Sequence, residues 1–163
     1  MKLLTRILSL ITIVSVSLFF ASCGGDGGGG TSTEKVQLKK LTKTWQIVSA
    51  NLSGGSPADK TPDYVDFTLT LTGTFDSDSN EDFPYDYTTT GRPDLSPWNA
   101  NGSWGFGSNP KTQIVRDDGL GITYSINSTG QLTLQYMYDG DGFESAKAAE
   151  VEGQWTLVLE PAN

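Results

Sequence analysis

The chain has 163 residues, 11 basic and 19 acidic, with one cysteine and no histidine. A net formal charge of −8, with no Lys/Arg run long enough to offset it, repels phosphate backbones and argues against nucleic-acid binding. The commonest general base, a thiol pair and the usual zinc ligands are missing, and a lone cysteine closes no intramolecular disulfide.

Residues Met1 to Ser22 read as an export signal. Lys2 and Arg6 give a positive start, Ile7 to Phe20 an apolar stretch, and Ala21-Ser22 a small-residue exit. The apolar stretch falls short of the roughly 20 strongly apolar residues of a comfortable membrane span. Phe20-Ala21-Ser22-Cys23 resembles the lipobox of bacterial lipoproteins, with Phe20 in the place of the usual Leu. The resemblance implies cleavage before Cys23 and lipidation of that residue with acyl chains of the palmitate type. At about 0.8 kcal/mol per buried methylene, several such chains make a stable membrane anchor. Gly24 rather than Asp follows Cys23, which by the same resemblance points to the outer membrane of the cell envelope, with the periplasmic and outer faces both open. The signal holds two of the eleven basic residues and no acidic one, so the mature 141 residues carry −10.

Residues 23–32 form a Gly-rich tether, Gly24-Gly25-Asp26-Gly27-Gly28-Gly29-Gly30 followed by Thr31-Ser32. It has almost nothing to bury, and nine such residues span about 16 Å as a flexible coil. Residues 33–163 make the folded domain. Thr33 to Leu41 is a short helical stretch: Thr33 can cap it, Glu34 favours its first turn, and Leu38 and Leu41 give it an apolar side.

Everything further along reads as strand and turn. The first strand runs from Trp45 to Ala50. The clearest lies between Tyr64 and Phe75, where Val65, Phe67, Leu69 and Leu71 alternate with Asp66, Thr68, Thr70 and Thr72. Tyr85–Thr89, Ser103–Phe106 and Gln113–Arg116 follow. The alternation then returns at Ile122, Tyr124 and Ile126, at Leu132, Leu134, Tyr136 and Tyr138, and at Trp155, Leu157 and Leu159. Ser108-Asn109-Pro110, Asp117-Asp118-Gly119 and Asn127-Ser128-Thr129-Gly130 are turn clusters of hairpin length. No gap holds a crossover helix, so parallel strands are disfavoured. The expected fold class is all-β: eight antiparallel strands in an up-and-down barrel behind a short N-terminal helical turn, preferred over a Greek-key sandwich. A barrel of eight strands is either filled by its own side chains or holds one small ligand.

The order of features resembles the lipocalin-like (calycin) domains of exported lipoproteins found widely in Bacteroidota. Three segments carry the resemblance: Leu41-Thr42-Lys43-Thr44-Trp45, Gly102-Ser103-Trp104-Gly105-Phe106, and Val151-Glu152-Gly153-Gln154-Trp155. It spans roughly Thr33 to Leu159. Lys43 stands where lipocalins carry the Gly of their Gly-x-Trp, and no Arg or Lys follows on the last strand to cover that Trp. The resemblance implies a compact barrel.

Carboxylate pairs are the one remaining acid–base machinery. Nearly all the acidic residues sit in Gly/Ser/Asn-rich turns where water keeps them ionised, so neither catalysis nor a cofactor is expected. Asp76-Ser77-Asp78-Ser79-Asn80-Glu81-Asp82 begins like an EF-hand loop, but Glu81 replaces the Gly and Tyr87 the closing Glu. Asp139-Gly140-Asp141-Gly142-Phe143-Glu144 is a similar fragment, and no metal ligand set is assigned. The aromatic inventory supports a binding module. Trp45, Phe67, Leu69, Trp104, Phe106, Tyr124 and Tyr136 are the candidate lining for a small apolar or amphipathic ligand, with Tyr hydroxyls to orient its polar end. Further readings stay open: the same residues as plain core, the aromatic residues from Phe83 to Trp98 covering the barrel mouth, and a filled barrel that meets a protein partner or glycan through the Tyr85–Trp98 loop. In the last, the loop's rings are exposed and Trp98 is replaceable without loss of folding.

Overall fold

A computed structural model describes residues 32–54, 58–140 and 151–163. The signal, Cys23, all but the last residue of the tether, and residues 141–144 of the second acidic fragment lie outside those ranges.

Helix α1 spans Thr33–Leu41, and its cap is Ser32 rather than Thr33: the Ser32 hydroxyl accepts from the Lys35 amide at 3.2 Å. Leu38 and Leu41 are buried one turn apart, so the short helix anchors by one apolar side. Nine strands follow: β1 (Thr44–Ser53), β2 (Ala58–Asp59), β3 (Thr68–Thr72), β4 (Tyr85–Thr90), β5 (Asn101–Phe106), β6 (Gln113–Arg116), β7 (Gly121–Ile126), β8 (Leu132–Tyr138) and β9 (Gly153–Pro161). β3 to β9 pair antiparallel in chain order. β1 pairs with β3 on one edge and β9 on the other, which closes an eight-stranded up-and-down barrel. β2 is a two-residue spur on the free half of β1, at Asn51 and Leu52. Closure leaves the eight main strands without a full-length open edge.

Two segments depart from simple alternation. In β1 the register with β9 slips between Ile47 and Ser49, so Val48 is an extra residue and 41 % exposed. Trp45 is inward before this bulge, and Ala50 and Leu52 are inward after it. Ahead of β3, Thr61–Tyr64 is a 3₁₀ turn with Pro62 at its start, and the Phe67 amide closes on the Tyr64 carbonyl. The strand expected from Tyr64 therefore begins only at Thr68. Val65, placed on the inner face by its spacing, is 67 % exposed. Proline presets the φ of a turn start and breaks the alternation that the apolar spacing suggested.

Inward side chains fill the barrel. Trp45, Leu69, Leu132, Leu134, Leu157 and Leu159 are fully buried, and Trp104, Trp155, Phe67 and Tyr124 nearly so. Large rings fit because glycine faces them at one close approach: a Cβ on Gly102, opposite Tyr87, would lie 2.6 Å from the Tyr87 hydroxyl. The barrel has two ends. α1 lies at the end where β1 begins, and Trp45 Nε1 donates to the Leu41 carbonyl there (2.9 Å). The opposite end gathers the 3₁₀ turn, the 91–100 loop, the β6–β7 turn and the start of β9.

Candidate functional site

The seven candidate lining residues do converge, as parts of a packed interior. Trp104 lies against Tyr85 (ring centroids 4.9 Å) and Phe106 (5.4 Å), and its Nε1 donates to the Asp86 carbonyl. Phe67 packs edge-on to Tyr64 and tilts toward Trp98. Leu69 is fully buried, while Phe106 is only partly so. The hydroxyls expected to orient a ligand are used inside the protein. Tyr124 donates to the Pro110 carbonyl, and Tyr136 accepts from Trp98 Nε1 at 2.9 Å. Burial pushes the Tyr124 phenol up to about 12 and that of Tyr136 well above its ordinary value. The Lys43 ammonium, where a lipocalin-like sequence would have Gly, lies 5.1 Å from the Trp45 ring centroid.

The Tyr85–Trp98 segment decides between exposed rings and rings that cover the mouth. Tyr85 and Tyr87 point inward from β4, and Trp98 is 1 % exposed. The Trp98 ring, with Tyr87 against it, therefore closes the barrel end opposite α1 instead of standing exposed, while Tyr85 packs inside near the α1 end against Trp104 and Phe106. Trp98 makes edge contacts with Tyr87 and Tyr136. Gly91, at φ +62°, lets the loop turn down onto Asp66, whose carbonyl would lie 1.9 Å from any Cβ there.

A buried cation latches this loop. Arg116 leaves β6 on the inward parity of Ile114, with its guanidinium over Trp98 (4.9 Å) and Tyr87 (5.8 Å). Its Nη1 donates to the Pro97 carbonyl at 2.7 Å, and its Nε and Nη2 donate to the two carboxylate oxygens of Asp118. That two-pronged geometry suits a planar guanidinium and meets the demand of a buried charge for partners. Burial raises the Asp118 pKa, but the hydrogen bond and charge of Arg116, with the Leu120 amide, outweigh it and hold the carboxyl below its usual value. Nothing in the sequence reading singled out this pair. The signal was there in outline: an arginine in step with inward Ile114, and an aspartate two residues on in a tight turn.

Beside the latch the barrel end opens into a recess of about 230 Å³, lined by Lys60, Asp63, Tyr64, Pro93, Asp94, Leu95, Val151 and Trp155. Tyr64 and Trp155 form its aromatic floor, edge to face at 5.7 Å between centroids. Both floor residues have their polar atoms engaged, Tyr64 through Ser96 Oγ (3.4 Å) and Trp155 through the Val151 carbonyl (2.7 Å). Leu95, Pro93 and Val151 add apolar wall. Lys60 and Asp63 sit 4.0 Å apart at the rim, and Asp94 gives it a second carboxylate. An apolar floor below a net negative rim can hold a small amphiphile by its apolar end. The volume is just below the range of about 300–1,000 Å³ usual for drug-sized ligands, which selects for something small.

The acidic loop at Asp76–Asp82 is exposed, and Asp76 spends one carboxylate oxygen on the Asp78 amide (2.9 Å). Among the described residues, no group of three or more His, Cys, Asp or Glu is placed to hold a metal ion. No family model matches the chain, and neither a curated protein nor a solved structure matches it significantly.

Proposed function

We propose that this chain is an exported lipoprotein, held to the outer membrane through Cys23, whose lipocalin-like barrel binds a small amphipathic ligand without catalysis. The observation that carries the binding role is the recess at the barrel end, with Tyr64 and Trp155 beneath and Lys60, Asp63 and Asp94 around it. The closed barrel is compatible with such a role, and the rigid sheet supports the recess from below. The ligand lies at the mouth, because the interior positions are taken by packed side chains. Two carboxylates against one ammonium at the rim favour a cationic or hydrogen-bond-donating head over an anionic one.

The test is calorimetric titration of the mature chain carrying Cys23→Ser, so that no acyl chain competes for the site. Decyltrimethylammonium should bind saturably and more tightly than decyl sulfate, and Asp94→Lys should narrow or invert that preference. Saturable binding of neither amphiphile would overturn the reading.

A further inference from the structure

Helix α1 presents a basic outer face in a chain whose net charge is strongly negative. With Leu38 and Leu41 turned into the core, the opposite arc carries Lys35, Val36, Lys39 and Lys40, all exposed. Val36 is 39 % exposed among the three ammonium groups, a small apolar contact ringed by positive charge. Among the described residues, none of the three lysines has a carboxylate within ion-pair distance. The opposite barrel end is dominated by Asp59, Asp63, Asp66, Asp94, Asp117, Asp118 and Asp139, against Lys60, Arg92 and Arg116. The α1 end also bears the acidic β3–β4 loop, with Lys43 and Lys111 as further exposed basic residues, and the helix itself carries one acidic residue, Glu34. Position in the chain supplies the second argument. Nine residues lie between Cys23 and Thr33, the first residue of α1, so the helix is the first described element beyond the anchor position.

We propose that the outer face of α1, through Lys35, Lys39 and Lys40, docks on anionic phospholipid headgroups and sets the barrel with its recess pointing away from the bilayer. This inference rests on the reading of Cys23 as a lipid anchor. The anchor supplies residence at the membrane, and the helix supplies orientation. Each lysine at an anionic surface shifts the docked population by roughly fivefold, and salt screens the effect.

The test uses the mature protein acylated at Cys23. Cys23 is the sole cysteine and is blocked by its lipid, so Val36→Cys or Val65→Cys introduces a unique labelling site, on α1 or at the opposite end. An environment-sensitive fluorophore is attached to each, and the protein is placed on vesicles of phosphatidylcholine alone or with a minority of phosphatidylglycerol. The label at position 36 should shift to shorter wavelength only on the anionic vesicles. Molar salt, or the triple change Lys35→Gln, Lys39→Gln and Lys40→Gln, should abolish the shift, and the label at 65 should not respond. Vesicle-bound protein whose label at 36 reads alike on both lipids overturns the docking and leaves the anchor standing. Mass spectrometry that finds no acyl chain on Cys23 overturns the anchor, and the docking with it.

Discussion

Trp98 donates its indole N–H to the phenolic oxygen of Tyr136 at 2.9 Å, with the two rings edge to face at 86°. The bond joins a loop residue to the middle of β8 and fixes the plug that closes the barrel end opposite α1. Its donor and acceptor are both buried, so water offers neither a substitute.

Removing that plug should be costly. Trp98→Ala is expected to lose about 3–5 kcal/mol of stability, the range for deleting a buried aromatic side chain. Tyr136→Phe keeps the ring and strands the indole N–H, at about 1–3 kcal/mol. Urea denaturation followed by circular dichroism measures both. A Trp98→Ala protein as stable as the parent would mean that the loop does not close the barrel.

The Arg116–Asp118 pair should shape the acid limb of stability. The Asp118 carboxyl titrates lower in the fold than the ordinary value of 3.8, so its contribution is present above that value and disappears as pH falls through the folded one. Asp118→Asn should lower stability at neutral pH by about 1–2 kcal/mol, discounted because the carboxylate is partly solvated. It should also flatten the loss of stability as pH falls below the ordinary carboxyl range. Thermal melts over that fall in pH decide it, and parallel curves for parent and variant would contradict the assignment.

The alkaline limb belongs to the tyrosines. Burial raises the phenols of Tyr64, Tyr85, Tyr87, Tyr124 and Tyr136 above 10.0 in the fold. Their contribution is complete below that value and is lost as pH rises through the folded ones. Phenolate absorbance should therefore appear together with loss of the near-ultraviolet dichroism, above about pH 10. Reversible ionisation of most of the six tyrosines near pH 10 in a protein that stays folded would contradict the burial described here.

The barrel was largely legible because seven of its eight main strands announce themselves by alternation or flanking turns, and antiparallel hairpins need only local signals. Tyr85–Thr90, Gln113–Arg116 and Leu132–Tyr138 fall where the spacing places them, to within a residue. The bulge at Val48 blurred β1, because one extra residue inverts the parity on which the reading depends. Pro62 cut back the front of β3 in the same way. The recess was hidden for a different reason. Lys60, Asp94 and Trp155 come from three separate chain segments, and only closure of the barrel makes them neighbours. Trp98 stayed open because it sits in an irregular loop, where no period distinguishes a ring turned inward from one turned out. The single inward arginine was likewise unmarked, since its partners Pro97 and Asp118 belong to different connections.

The most direct measurement follows the four indole N–H signals of the mature Cys23→Ser chain by ¹H–¹⁵N correlation while decyltrimethylammonium is added. Trp155 borders the recess and bonds to Val151 on its wall, whereas Trp45 and Trp104 lie in the packed interior. Binding at the mouth predicts a saturable shift of the Trp155 signal with those of Trp45 and Trp104 unmoved. Shifts at Trp45 and Trp104 would put the ligand inside the barrel, and no shift at any indole would leave the mouth without a ligand; either result contradicts the account.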